Sequence, residues 1–314
     1  MQTRSQRFLT LAGALGGLAL FTYSVRRVGV GDIVDGIGRV GWGLIPILLL
    51  AGLRFVLRAA AWRLCTPAGA GLPLRRAFMA FLAGDAIGNL TPLGLIASEP
   101  MKAFLIRHHL ATRETVTSLA LDNLVYSSSI LVMVVIGVVV MLGNVPLPSA
   151  WRGWIVAAVG ALVLAAIAAA WVIRKRVPRN LLEFSAEQPT RLWRAFAVDM
   201  TFHALAVVEV YLTLRWLLGS LAPTFTEAVL FEVLNRVVTV AFKFVPLRVG
   251  VDEAVSGAFA PLLAVSSTAG VALAVIRKVR NLFWMGIGLA LIAVHHAQGA
   301  PATDRRETVP AHRT

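Results

Sequence analysis

Leu90-Thr91-Pro92-Leu93-Gly94-Leu95-Ile96-Ala97-Ser98-Glu99-Pro100-Met101-Lys102 interrupts an apolar run with two prolines, a glycine, a carboxylate and an amine. Helix breakers and charge are costly in hydrocarbon unless protein or a water-filled cavity satisfies them. The pattern returns 154 residues later: Pro92-Leu93 precedes Glu99 as Pro246-Leu247 precedes Glu253, so Pro-Leu-x5-acid occurs twice. Two breaks in corresponding places are the sequence mark of a transporter built from repeats.

The rest of the chain sets those breaks in oil. Of 314 residues 58% are hydrophobic and 15% charged, with mean hydropathy +0.76. A soluble domain of this length cannot hide so much apolar surface, and several windows reach the roughly 20 residues that cross a bilayer. The class is an all-α polytopic membrane protein. The net charge of +14 is then a matter of topology rather than of nucleic acid, because Lys and Arg near span ends set orientation. Cys65 is the single cysteine, which excludes an intrachain disulfide. No phosphate-binding or dinucleotide glycine motif and no zinc-ligand spacing appears, so no cofactor, metal or catalytic set is expected.

Six full spans and two re-entrant helical hairpins account for the hydropathy. The spans are Phe8–Ser24, Trp42–Leu64, Thr115–Leu142, Trp154–Ile173, Ala195–Leu218 and Ala269–Val294. The first resembles a signal peptide but is long for one and lacks a convincing cleavage site, so it reads as a retained span. Residues 28–40 read as a loop or interfacial helix. The hairpins are 75–91 with 99–108, and 225–245 with 254–265. Residues 1–142 form the first membrane repeat and 143–296 the second; 174–194 is a polar linker, and 297–314 a disordered tail.

With a cytoplasmic N-terminus this arrangement puts 16 Lys/Arg in inside segments and 4 in outside ones, leaving 10 of the 30 within hydrophobic stretches. That bias is what the positive-inside rule requires. It places both termini in the cytoplasm, and the expected location is a bacterial inner membrane. Three spans separate the two breaks, so the hairpins enter from opposite sides and the repeats are inverted. Shifting 42–64 by 154 gives 196–218, and shifting 115–142 gives 269–296, so the flanking spans register too.

Ala61-Trp62-Arg63, Gly88-Asn89-Leu90-Thr91-Pro92 with Glu99, Pro246-Leu-Arg-Val-Gly-Val-Asp-Glu253 and Arg277-Lys-Val-Arg-Asn281 follow one another in an order that resembles the lysylphosphatidylglycerol synthase transmembrane-region family, also called the flippase-like domain. The resemblance covers about Trp42 to Val294. Ser98 stands where the family commonly has glycine. The soluble aminoacyl-transferring domain of the best-known members has no counterpart in these residues. The resemblance therefore implies movement of a polar-headed lipid between leaflets rather than its synthesis. The implied partner is a phospholipid, a hopanoid or a polyprenyl-linked lipid, with a second copy of the chain or a lipid-synthesis enzyme as possible company.

A headgroup crossing oil needs a wet, charged path, and each charge inside a span costs about 2.5–3.5 kcal/mol. Arg54 and Arg58 share a helix face; so do Glu232 and Arg236, with Lys243 seven residues on. Arg277, Arg280 and Asn281 cluster at helical spacing, as do Asp85 and Asn89. The candidate headgroup residues are Arg54, Arg58, Asp85, Asn89, Glu99, Lys102, Arg236, Lys243, Arg248, Glu253, Arg277 and Arg280. Pro92, Gly94, Pro246 and Gly250 make the breaks. Arginine suits a lipid phosphate because its planar fork binds in bidentate fashion. Glu99 and Glu253 hold the breaks open or pair with Lys102 and Arg248, and burial would suit them to proton exchange. The competing expectation is that the charges only brace the bundle, with Glu232–Arg236 and Asp199–His203 as intrahelical pairs. An enzyme centred on Asp122-Asn123, or a scaffold for a lipid-synthesising partner, completes the alternatives.

Overall fold

The computed structural model describes residues 30–67, 69, 71–91, 94–176, 188–219, 223–242 and 245–299, and every regular element among them is helical. The first predicted span, Pro92, Lys243, the middle of the linker and the tail beyond 299 lie outside the described residues. The chain runs α1 (Val30–Val40), α2 (Leu44–Leu64), α3 (Leu74–Leu90), α4 (Gly94–Ile106), α5 (Thr112–Asn144), α6 (Ser149–Arg176), α7 (Pro189–Leu218), α8 (Phe225–Ala241), α9 (Val251–Phe259) and α10 (Ser267–Gly299).

Local signals set the helix ends. Pro73 is extended and leads into α3, and Pro189 opens α7, where a missing N–H loses nothing. Glu114 and Glu227 accept the backbone N–H of Ala111 and Thr224 at 3.2 and 2.7 Å, closing the first turns of α5 and α8. The stretch 28–40 contains a helix rather than a loop, with Val40 buried and Val34 outward.

Among the described residues three helices are long and apolar enough to cross a membrane: Gly38–Leu64 (through the short turn before α2), α5 and α7. Helix α10 has the length, at 33 residues, but Arg277, Lys278 and Arg280 fall in one turn of it. In α6 the stretch Ser149–Ala165 is apolar, and the sequence stays apolar on to Ile173. The expected span boundaries move outward: α5 begins at Thr112, its first turn closed by Glu114, and α7 at Pro189, a proline in the first turn.

Helices α2 and α7 pack along each other, α3 lies on α4, and α10 packs on α3 and α9. Gly43 lies beneath the Trp216 ring and Gly52 beneath Trp284, whose Nε1–H donates to Leu48 O at 3.1 Å. One apolar cluster gathers Leu214, Phe231 and Leu273 from α7, α8 and α10; another gathers Trp62, Phe81 and Ile106 from α2, α3 and α4. Of the elements offset by 154, α3 and α8 match at 17 residues each and α5 and α10 at 33 each, whereas α2 and α7 (21 and 30) and α4 and α9 (13 and 9) differ.

The two breaks differ from each other. In the first, α4 starts at Gly94, so Glu99 and Pro100 sit inside the helix instead of beginning the second arm. A Cβ on Gly88 would approach Gly94 O to 3.2 Å, so the absence of side chains lets the two arms of this hairpin close. The second break is a tight turn in which Leu247 and Arg248 adopt φ of 49° and 48°, followed by Gly250 at 84°. Side-chain-bearing residues in the left-handed region cost on the order of 1–3 kcal/mol each, and such strain collects at functional sites. Leu247 is held there by burial against Ala86, Leu90, Leu282 and Met285.

Candidate functional site

Both breaks open onto one cavity of about 410 Å³. Its walls come from α2 (Arg54, Arg58), α3 (Phe81, Asp85, Asn89), α4 (Gly94, Ser98, Glu99, Lys102), α5 (Asn123, Tyr126, Ser127), α7 (Phe202), α8 (Asn235, Arg236, Thr239), the second break (Leu247, Arg248) and α10 (Arg280, Asn281). Nine of the expected headgroup residues are therefore brought together: Arg54, Arg58, Asp85, Asn89, Glu99, Lys102, Arg236, Arg248 and Arg280. Two are placed elsewhere. Arg277 is buried against Phe231 O at 3.2 Å, and Glu253 accepts Gly250 N–H at 2.9 Å and pairs with Lys278 at 2.7 Å.

Each cation is held by acids from other helices or other turns. Arg58 bonds Asp122 at 2.8 Å and also Asp199; Arg54 bonds Glu209 at 2.7 Å, and Arg280 joins the same carboxylate. Arg236 donates through Nε to Glu232 at 2.7 Å, with Arg277 at 3.6 Å from the other oxygen. Lys102 meets Glu99 at 2.9 Å, and Arg248 meets Asp252 at 3.0 Å. Asp85 accepts from Asn89 at 2.9 Å. These ion pairs join eight cations (Arg54, Arg58, Lys102, Arg236, Arg248, Arg277, Lys278, Arg280) to seven carboxylates, and Asp85 makes the acids eight.

The balance is even over the cluster but uneven within it. Glu209 serves two arginines and Glu232 serves two, leaving one positive charge in excess at each, whereas Arg58 faces two acids. Aromatic rings hold the guanidinium groups flat: Arg58 lies 3.9 Å from the Tyr126 centroid and Arg54 4.5 Å from Phe202. Lys102 lies 4.3 Å from Phe81. Arg54 Nε and Glu99 Oε2 are buried without a hydrogen-bond partner among the described residues.

Two pairings differ from the sequence expectation. Asp199 does not pair with His203 one turn on. It is drawn to Arg58, whose full charge outcompetes a neutral ring, and His203 Nε2 lies 3.0 Å from Ser129 Oγ instead. Arg248 takes Asp252 rather than Glu253, because Glu253 at the third position of α9 is turned toward the backbone of Gly250. Asp122 is a partner of Arg58, not an isolated acid. Glu209, Asp122 and Asp199, which stand behind the cavity arginines, are not among the headgroup candidates. The available signal was that arginines buried in apolar helices require carboxylates at similar depth.

A bundle of long apolar helices around a buried, charged, helix-broken cavity defines an integral membrane protein with a polar site inside its helices. The sequence profile of the lysylphosphatidylglycerol synthase TM region matches residues 9–289, and the chain belongs to that family. Neither a curated protein nor a solved structure matches it. Membership makes it a lipid-related membrane protein.

Proposed function

We propose that the chain moves a lipid bearing an anionic phosphate headgroup, or a lipid-linked precursor, between the leaflets of a bacterial inner membrane. The observation that carries this reading is the pair of doubly loaded acids, Glu209 and Glu232, which leave Arg54, Arg280 and Arg236 with surplus positive charge on the cavity wall. Arginines already stacked on aromatic rings need little reordering to grip a phosphate. Asp85 and Glu99 line the same cavity, so a headgroup amine or hydroxyl would also find acceptors.

The architecture that goes with this reading is six spans and two hairpins in inverted repeats, 1–142 and 143–296, with both termini cytoplasmic. The matching lengths of α3 with α8 and of α5 with α10 support it, as does the meeting of both breaks at one cavity. The protein acts as a carrier and not as an enzyme, and its charged lining is the binding surface.

The test is reconstitution in liposomes containing fluorescent phospholipid. Leaflet exchange in the wild type, lost in Glu99→Gln and in Arg236→Gln, is expected. Formation of a new lipid from labelled substrate would mean an enzyme. Exchange that survives both substitutions while thermal stability drops would reduce the charges to bracing. That second reading draws on the ion pairs themselves, which would stabilise a scaffold equally well.

A further inference from the structure

Among the described residues that line the cavity, the exposed side chains fall on one seam, and a headgroup has to enter somewhere. Of the side chains lining it, Ser127 on α5 and Val240 on α8 are exposed, Val240 at 59%; the others are buried or half-buried. Resting on the carrier reading above, we propose that the lipid enters sideways between α5 and α8, headgroup inward and acyl chains outside, through a portal rimmed by Ser127 and Val240.

The chemistry changes sign across this rim as such a route requires. Flanking the rim, Leu124 on α5 and Val237 on α8 are exposed at 48% and 44%, an apolar surface fit for acyl chains. On the inner side Asn123, Asn235 and Thr239 offer polar groups to a headgroup. Just within, Tyr126 OH accepts a hydrogen bond from Arg236 Nη1 at 3.2 Å, a latch from one helix to the other. Further along, the helices are in close contact: a Cβ on Gly137 would come within 2.4 Å of the Val233 side chain. Gly137 lies ten residues from Ser127, about 15 Å along the helix, so the seam is closed at one end and open at the other.

The 154-residue offset supplies an internal comparison. Ser127 and Val240 correspond to Asn281 on α10 and Ala86 on α3. Ala86 is 0% exposed. Gly288 of α10 lies so near α3 that an added Cβ would sit 2.7 Å from Leu82 O and 2.8 Å from the Ala86 side chain. Leu90, Leu247 and Met285 fill the same seam. Corresponding positions are thus open on one seam and packed on the other. A carrier of two repeats alternates by exchanging such states, and the α3–α10 seam is the shut twin of the portal.

Two measurements test this. In a Cys65→Ala background, Ser127→Cys carrying Val240→Cys is modified with a bulky maleimide in liposomes. Loss of exchange is expected, whereas the same label at Val139→Cys, on α5 beyond the Gly137 contact, leaves exchange unchanged. Undiminished exchange with both rim positions labelled overturns the portal and leaves the carrier reading standing. The second uses unmodified protein and a phospholipid with a diazirine on its headgroup. Photolysis followed by peptide mapping should place adducts within 123–127 and 235–240; adducts confined to α3 and α10 overturn the proposal. Wild-type protein without exchange, yet with adducts at the rim, refutes transport but retains the lipid entry site.

Discussion

Arg58 is the place to ask whether the buried charges hold one another. It sits in α2 at 4% exposure, bonded to Asp122 of α5 and Asp199 of α7, themselves 1% and 0% exposed. Arg58→Gln leaves two carboxylates with no cation, and breaking a buried pair from one side costs about 3–5 kcal/mol. The triple variant Arg58→Gln with Asp122→Asn and Asp199→Asn removes every charge of this group, with the asparagines keeping the shape of the aspartates. Neutral replacements of a whole buried ion cluster are often tolerated, so about 2 kcal/mol or more of the loss should return. At 1.4 kcal/mol per decade, Arg58→Gln lowers the folded-to-unfolded ratio by at least about a hundredfold relative to wild type. Chemical denaturation in micelles, followed by tryptophan fluorescence, reads this difference. The triple variant should be more stable than the single one, whatever either does to exchange. A single variant as stable as wild type, or a triple variant no better than the single, would refute the idea that these three groups form one closed electrostatic unit.

Further outcomes follow from particular contacts. Glu253→Gln should leave the cavity lining unchanged, since Glu253 pairs with Lys278, and should lower stability while exchange persists; Glu99→Gln should do the reverse in a leaflet-exchange assay. Gly94→Ala drives a methyl into the Gly88 carbonyl and should cost about 1–3 kcal/mol, seen as a lower yield of monodisperse protein. Tyr126→Phe deletes the hydrogen bond to Arg236, about 0.5–1.5 kcal/mol, and should speed initial exchange if that contact latches the seam.

Much of the fold is legible because hydropathy and proline are local signals. The runs 42–64, 115–142 and 195–218 announce their helices, and Pro246 announces its break. Local signals fail where partners are distant. Arg54 stands out in an apolar helix, yet nothing near it names Glu209, 155 residues on. Glu99 and Glu253 look alike in sequence, but one falls in the second turn of a helix facing the cavity and the other in a first turn, where backbone N–H groups claim it. Tyr126 and Phe202 read as ordinary core aromatics, and only the assembled bundle shows them beneath guanidinium groups.

The ion-pair network on and behind the cavity wall joins eight cations to seven carboxylates, with Asp85 as an eighth acid, and that balance has a consequence for energetics. A charge moved across the full membrane potential gains or loses about 2.3 kcal/mol per 100 mV. On the carrier reading proposed above, a rocking motion that carries this network as a body, with all its groups ionised, displaces no net charge, so the network itself adds no voltage dependence to reorientation of the empty protein. On the same reading, a charged lipid cargo would add voltage dependence of its own, with a sign set by the cargo's charge.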